Sequence, residues 1–367
     1  MNTPILHTHI TIASFPRETP PGISHNPYLE LFYGSLQKYG FRLFPQIAFT
    51  SKVIKLHKND IDIVHLHWLH IFKKNENVFT QFASLFQFVT TILSAKFSGI
   101  KIVWTCHNIL PHENVSLADY GFLLSTVLLS NVIICHSESA KKRIFWFNFF
   151  FRKIVVMPHG TYDGYIQATY TREQARRLLN VSPDTYVYLF FGLIRPYKGV
   201  TELLDAFSGN DGKLFVVGSP LREDPYFEKE IIPRIKSNPA IKYSPACSRL
   251  DIGLYFTATD AVVYPFESIT SSGSYMLPFT FGAPLVLKRN PLAEEMFNED
   301  EAVFYDSTKD LSRALADVRK LKREKVCQSL ESRAKNLAWS EVVKTVVPSL
   351  QKLVHHQQVA SLTKAYE

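Results

Sequence analysis

Short runs of unbroken apolar residues recur along most of this chain, separated by longer stretches in which apolar residues return every three or four positions. In the first half the runs are His9–Ser14, Asp62–His67, Lys101–Cys106, Val132–Cys135 and Ile154–Met157. In the second they are Tyr186–Phe191, Lys213–Val217, Ala261–Tyr264 and Pro284–Leu287. A strand that is apolar on both sides is covered on both faces. A β-α-β-α series of such strands therefore predicts parallel sheets with helices on either side, an α/β fold. Leu29, Phe32, Tyr33 and Leu36 predict one helix face, with Asn26 as N-cap, Pro27 at the first helical position and Gly40 as the stop. Phe79–Phe97 reads as a long apolar helix, and Thr171-x-x-Gln174 as a capping box.

The series restarts near residues 160–170, and 367 residues suit two domains of ordinary size. We expect one over 1–165, a second over 166–338, and a C-terminal helical segment over 339–367. The 46% hydrophobic content excludes a disordered chain or a coiled coil. Forty-one Lys and Arg against 33 Asp and Glu give a net charge of +8, which calls for an anionic partner. Four separated cysteines without metal-ligand spacing read as reduced thiols. Met1–Ile12 lacks the pattern of a signal peptide, and no run of 18 consecutive apolar residues predicts a membrane span.

Parallel α/β sheets bind ligands beyond the carboxyl ends of their strands, so the loops after the strands carry the chemistry. After Tyr186–Phe191 comes Gly192-Leu-Ile-Arg195-Pro-Tyr-Lys198-Gly199. Two cations in a strand-to-helix turn suit a diphosphate: Arg195 offers a fork of donors and Lys198 a point charge. A solvated basic turn is the alternative. After Ala261–Tyr264 comes Glu267 and then Ser271-Ser272-Gly273-Ser274, where small residues let backbone approach an anion and Glu267 can accept a sugar hydroxyl. An ordinary capped helix is the alternative there. After Lys101–Cys106 comes His107-Asn-Ile-Leu-Pro-His112-Glu113, a cluster suited to acid–base work or hydroxyl binding. Its spacing is not that of a zinc motif, and no metal is expected. His65, His67 and His70 alternate as on a strand and either line a cleft or cap the strand. Asp60-Ile-Asp62 precedes its strand, the wrong end for a ligand site. The dinucleotide, P-loop and nucleophile-elbow glycine motifs are absent.

Residues 190–207 (FFGLIRPYKGVTELLDAF) resemble the donor-phosphate segment of two-domain glycosyltransferases of the GT-B architecture. Residues 26–36, 62–68, 104–113 and 264–286 resemble one bacterial branch of that group, the GDP-mannose-dependent glycolipid mannosyltransferases of exopolysaccharide assembly. The resemblance implies two Rossmann-like, doubly wound domains facing across a cleft, the first for the acceptor and the second for the nucleotide-sugar. It also implies that the segment from Trp339 to Val354 returns to the first domain and that transfer needs no metal or other cofactor. The donor residues are then Arg195, Lys198, Glu267, Ser271, Ser272 and Gly273. Asn26, Tyr28, His67, His112 and His159 belong to the acceptor side.

Many retaining members of the wider group carry a second glutamate after the one matched by Glu267. Its place is taken here by Leu277, with no glutamate between them, so inversion is expected. Inversion needs a base: His107 first, then Glu113, with Asp119 and Glu18 in reserve. The implied partners are a nucleotide-sugar and a lipid-linked oligosaccharide. Between Arg143 and Arg152 stand six aromatic residues, which read either as a core helix and strand or as a patch for an anionic membrane. The expected location is the cytoplasmic face of the plasma membrane. No motif supports nucleic-acid binding.

Overall fold

In the computed structural model of the protein, the described residues are 9–17, 27–74, 77–145, 154–167, 169–209, 212–220, 225–245, 249–267, 269–271 and 273–354. They divide into two compact units. The chain up to His159, together with the chain from Trp339 on, forms one, and Gly160–Ala338 forms the other.

The first unit runs β1 (Ile10–Phe15), α1 (Tyr28–Leu36), β2 (Phe41–Leu43), α2 (Ser51–Leu56), β3 (Ile63–Leu66), α3 (Val78–Phe97), β4 (Lys101–Cys106), α4 (Leu117–Leu129), β5 (Val132–Cys135), α5 (Glu138–Phe145) and β6 (Ile154–Val156). All its strands are parallel, in the order β2-β1-β3-β4-β5-β6. Every residue of β3 and β5 is buried, because helices cover both sheet faces. The apolar stripe of α1 is buried as its spacing predicts, and Tyr28 joins it. Pro27, expected at the first helical position, is instead the N-cap, and Asn26 lies outside the described residues. The helix gives way at Leu36 to a 3₁₀ turn that Gly40 ends at φ 81°. Asp62 lies just before β3, where its carboxylate accepts the Thr11 N–H at 2.7 Å, a strand-joining role at the amino edge of the sheet.

The second unit runs α6 (Arg172–Leu178), β7 (Val187–Phe191), α7 (Val200–Ala206), β8 (Lys213–Val217), α8 (Ile232–Ser237), β9 (Ile241–Ser244), α9 (Arg249–Ala258), β10 (Ala261–Tyr264), α10 (Leu277–Phe281), β11 (Leu285–Lys288), α11 (Pro291–Met296), β12 (Ala302–Tyr305), α12 (Thr308–Asp317) and α13 (Arg323–Ala334). Its parallel sheet has the order β12-β11-β10-β7-β8-β9. Counted within the unit, that is 3-2-1-4-5-6 read from the β9 edge, the doubly wound order whose switch point lies between the first and fourth strands, β7 and β10. Helix α14 (Trp339–Val342) packs on α1 of the first unit, and residues 347–354 are helical after it.

Three strands not expected from sequence, β2, β9 and β12, are all sheet edges. β2 and β9 are interrupted by Arg42 and Lys242 and so form no continuous apolar run, whereas β12 (AVFY) does form one and was passed over.

At the amino edge of the second sheet, the Asp260 carboxylate binds Arg172, Arg176 at 2.5 Å and the Val187 N–H at 2.8 Å, and the Arg176 side chain is 6% exposed. Removing the shared acceptor strands a buried guanidinium. Asp260→Ala should therefore destabilise this unit by about 3 kcal/mol, read as a lower denaturant midpoint by far-UV circular dichroism. An unchanged midpoint would show that the pair contributes nothing.

Candidate functional site

In-register parallel pairing brings one edge of the first sheet to a common level. Cys106 pairs with Cys135, and Cys135 with Val156, so the next residues, His107, His136 and Met157, stand side by side past the strand ends. His67 directly follows β3, level with Thr105, and His159 stands three residues after the end of β6. Four adjacent strands thus each deliver a histidine to one place. The Tyr28 ring, at the start of α1, is their common neighbour. It lies 4.6 Å from His107, 5.3 Å from His136 and from His159, and 6.0 Å from His67, with Trp339 at 5.2 Å. Trp68 stacks on His107 at 4.2 Å.

A buried hydrogen-bonded chain runs through this cluster. Thr105 Oγ1 meets His65 Nε2 at 2.8 Å, and His65 Nδ1 meets the Tyr33 hydroxyl at 2.9 Å. Tyr33 meets His67 Nε2 at 2.8 Å, and His67 Nδ1 meets His107 Nε2 at 3.1 Å. Burial holds the rings neutral: His65 is pushed down to about 3, and His67 and His107 well below the ordinary value, with neighbouring histidines adding to the effect. A neutral ring has one proton, so the chain has two ordered polarities. In one of them His107 donates from Nε2 and keeps Nδ1 as an acceptor.

His136 was not singled out by sequence, although a Cys-His pair ends both β4 and β5. Its Nδ1 donates to the Met157 carbonyl at 2.9 Å, which leaves Nε2 as a bare acceptor. Nε2 is buried and has no partner among the described residues, and burial lowers the ring to about 4. Trp339 Nε1, a donor, is likewise buried and without a partner among them. An acceptor and a donor left over in one aromatic cluster match the hydrogen-bonding capacity of sugar hydroxyls.

Of the other first-unit residues read from sequence, His112 turns within its own loop to Asn108, at 3.2 Å, and Glu113 is half-buried in that loop. His65 and His67 adjoin at 4.2 Å, whereas His70 lies in a 3₁₀ turn after the strand. Asp119 is no base. Burial pushes its carboxyl up, but Lys73 at 2.6 Å and the Ser116 N–H and hydroxyl pull it further down, so it stays ionised and engaged. Glu18 lies outside the described residues. Among the described residues no group of three or more His, Cys, Asp or Glu could hold a metal ion.

In the second unit the loops after β7 and β10 meet at the switch point. The Glu267 N–H donates to the Tyr197 carbonyl at 3.2 Å. Gly199 adopts φ 66°, and a Cβ there would stand 2.2 Å from the Pro265 carbonyl oxygen, so only glycine fits. Lys198 is 7% exposed, and its ammonium lies 3.6 Å from the Phe266 ring centroid. Among the described residues no carboxylate pairs with it, and burial lowers its pKa to about 7. Arg195 is partly exposed at the start of the same turn. Glu267 is held at 3.3 Å by Lys288, a cation that sequence reading passed over because it ends a strand.

Ser271 and Gly273 are described, and Ser272 lies outside the described residues. The helix expected after them proves short: a 3₁₀ turn, Gly273–Met276, leads into the five residues of α10. Its dipole is correspondingly small, so the fixed cations Lys198 and Arg195 are the larger charges here. Leu277, read from sequence as replacing a second glutamate, is buried.

No protein-family model matches the chain. Over 273 residues it is 25% identical to the GDP-mannose:glycolipid 4-beta-D-mannosyltransferase of Xanthomonas campestris, covering 72% of this chain and 70% of that one. Anabaena HepE, solved in complex with UDP-glucose, superposes with a TM-score of 0.70 at 14% identity, over 94% of this chain and 100% of that one. WaaG, a glycosyltransferase involved in lipopolysaccharide biosynthesis, gives 0.63 at 12% identity, over 93% and 99%. By its two parallel sheets and by these relationships, the chain is a glycosyltransferase of GT-B architecture.

Proposed function

We propose that the protein transfers mannose from GDP-mannose, with inversion and without a metal, to a lipid-linked oligosaccharide at the cytoplasmic face of a membrane. The observation that carries the donor half is Lys198, a buried ammonium at the switch point of the second sheet with no carboxylate partner among the described residues. Leaving such a charge unpaired is costly, and a nucleoside diphosphate supplies the missing anion. As the glycosidic bond breaks, negative charge grows on that diphosphate, and Lys198 with Arg195 stabilises it in the role a metal ion plays elsewhere. Glu267 and Ser271, Ser272 and Gly273 are assigned to the donor as well. The choice of GDP-mannose rests on the name of the Xanthomonas relative. A UDP-sugar is the second reading, favoured by HepE, whose structure holds UDP-glucose.

Inversion is a single displacement in which the acceptor hydroxyl attacks the anomeric carbon while the diphosphate leaves. Inversion is supported by the sequence, which carries no second glutamate from Ser268 to Leu277. The acceptor proton goes to a ring nitrogen, His107 Nδ1 or His136 Nε2. Rings with lowered pKa are weak bases at rest, but the attacking hydroxyl becomes strongly acidic as its new bond forms. Glu113 and His112 are assigned to the surrounding acceptor loop, and Asn26, Tyr28, His67 and His159 to the same side.

Three outcomes follow. GDP and GDP-mannose should raise the melting temperature of the protein selectively, by mass action, and Arg195→Ala should weaken that shift. A shift with UDP-sugars alone would replace the donor, and none with any nucleotide would end the donor-site assignment. Lys198, with its folded pKa near 7 below the unfolded value, disfavours the free fold at low pH, and that penalty fades as pH rises from about 7 towards about 10.5. Bound diphosphate restores its proton. Calorimetry at pH 8 should therefore record proton uptake on binding GDP and weaker affinity than at pH 6.5, both lost in Lys198→Met. Affinity independent of pH would show that Lys198 does not meet the anion. His107→Gln or His136→Gln, whichever residue is the base, should slow mannosyl transfer about 100-fold or more while leaving the GDP-induced melting shift intact. Full activity in both would remove this cluster from proton transfer.

A further inference from the structure

Helices α3 and α4 lie so close that a Cβ on Gly121 would come within 2.4 Å of Leu85 Cδ2. Their inner faces, with Phe88 and Ile92 on one and Phe122 and Val127 on the other, are buried in the first unit's core. Their outer faces are apolar too. On α3, Phe79 is 82% and Phe86 72% exposed, with Phe82 between them; on α4, Leu117 is 78% exposed, followed by Leu124 and Leu128. The spacing places each set on one side of its helix. By length and composition α3 could cross a membrane, with a mean hydropathy of 1.4, yet a third of it is buried in the fold. It therefore lies along the surface of the unit.

The charge around this face is one-sided. The two helices contain a single acidic residue, Asp119, which is buried against Lys73 at 2.6 Å. Lys74 is exposed just before α3. Lys96 stands in the last turn of α3 and reaches the Leu129 carbonyl at the end of α4, at 2.9 Å. Among the described residues this aromatic face carries no exposed carboxylate on its two helices and has cations at both ends, which is complementary to an anionic lipid surface; Glu76, next to Asn77, lies outside the described residues. A symmetric dimer through the same face would bring a basic rim against a basic rim.

We propose that the outer face of α3 and α4 docks the protein on anionic lipid, with the phenylalanines and leucines entering the headgroup region and Lys74 and Lys96 meeting lipid phosphate. This deepens the lipid-linked acceptor reading by naming the surface that meets the membrane.

The test is flotation of the purified full chain with vesicles of phosphatidylcholine alone or mixed with phosphatidylglycerol. Binding to the mixed vesicles, weakened by salt, is expected. The triple variant Phe79→Ser, Phe86→Ser, Leu124→Ser should lose about tenfold or more in partitioning at an unchanged melting temperature. Lys74→Glu, a surface change that spares the core, should lose binding to the anionic vesicles chiefly at low salt. The proposal is overturned if the wild type fails to float with the mixed vesicles, or if the folded triple variant floats as well as the wild type, which would move the contact to the aromatic segment 145–151. It is also overturned if light scattering finds a dimer that the triple variant dissolves. The GDP melting shift of the same samples separates the readings: vesicle binding without it removes the donor site alone, and the shift without vesicle binding removes this face alone.

Discussion

A strand that runs parallel to its neighbour must start again at the same edge, so the chain crosses back through a helix each time and every strand ends on the same side. That constraint organises both units of this protein. In the first, the pairing register sets His107 beside His136, and His67 and His159, two residues to either side of that level, meet them around Tyr28. In the second, the reversal of strand order between β7 and β10 opens the place where the Lys198 turn and the Glu267 loop meet.

Removal from water then gives the two places opposite characters. The histidines share their protons through Tyr33 and one another, so burial leaves them neutral and rich in acceptor lone pairs. Lys198 has an aromatic ring beneath it and no carboxylate among the described residues, so burial leaves an ammonium on the verge of losing its proton. The first arrangement suits hydroxyl groups and proton acceptance. The second suits an arriving anion. Desolvation is the common cause, and the difference lies in whether the neighbours can take up the buried polar groups.

Much of this was legible in the residue order. Central strands announce themselves because both of their faces are apolar. Edge strands such as β2 and β9 mix buried and exposed positions and leave no such mark. Pro27 shows the limit of cap signals: its fixed φ is compatible with the cap and with the first turn alike, and packing of Tyr28 against the histidines places the helix start one residue later than expected. The helix after Gly273 was overestimated because small hydroxyl residues favour a turn as readily as a helix start.

Two parallel α/β units could be read from residue order, and the turn with Arg195 and Lys198 could be located there, because periodicity and strand-to-turn transitions are local. It took the folded structure to show that His136 joins the cluster, that Asp119 is tied to Lys73 and that, among the described residues, Lys198 has no carboxylate partner and the outer side of α3 is left exposed. Each of these depends on what a neighbouring element places opposite the residue, and strand register and helix packing set that across separations of tens of residues.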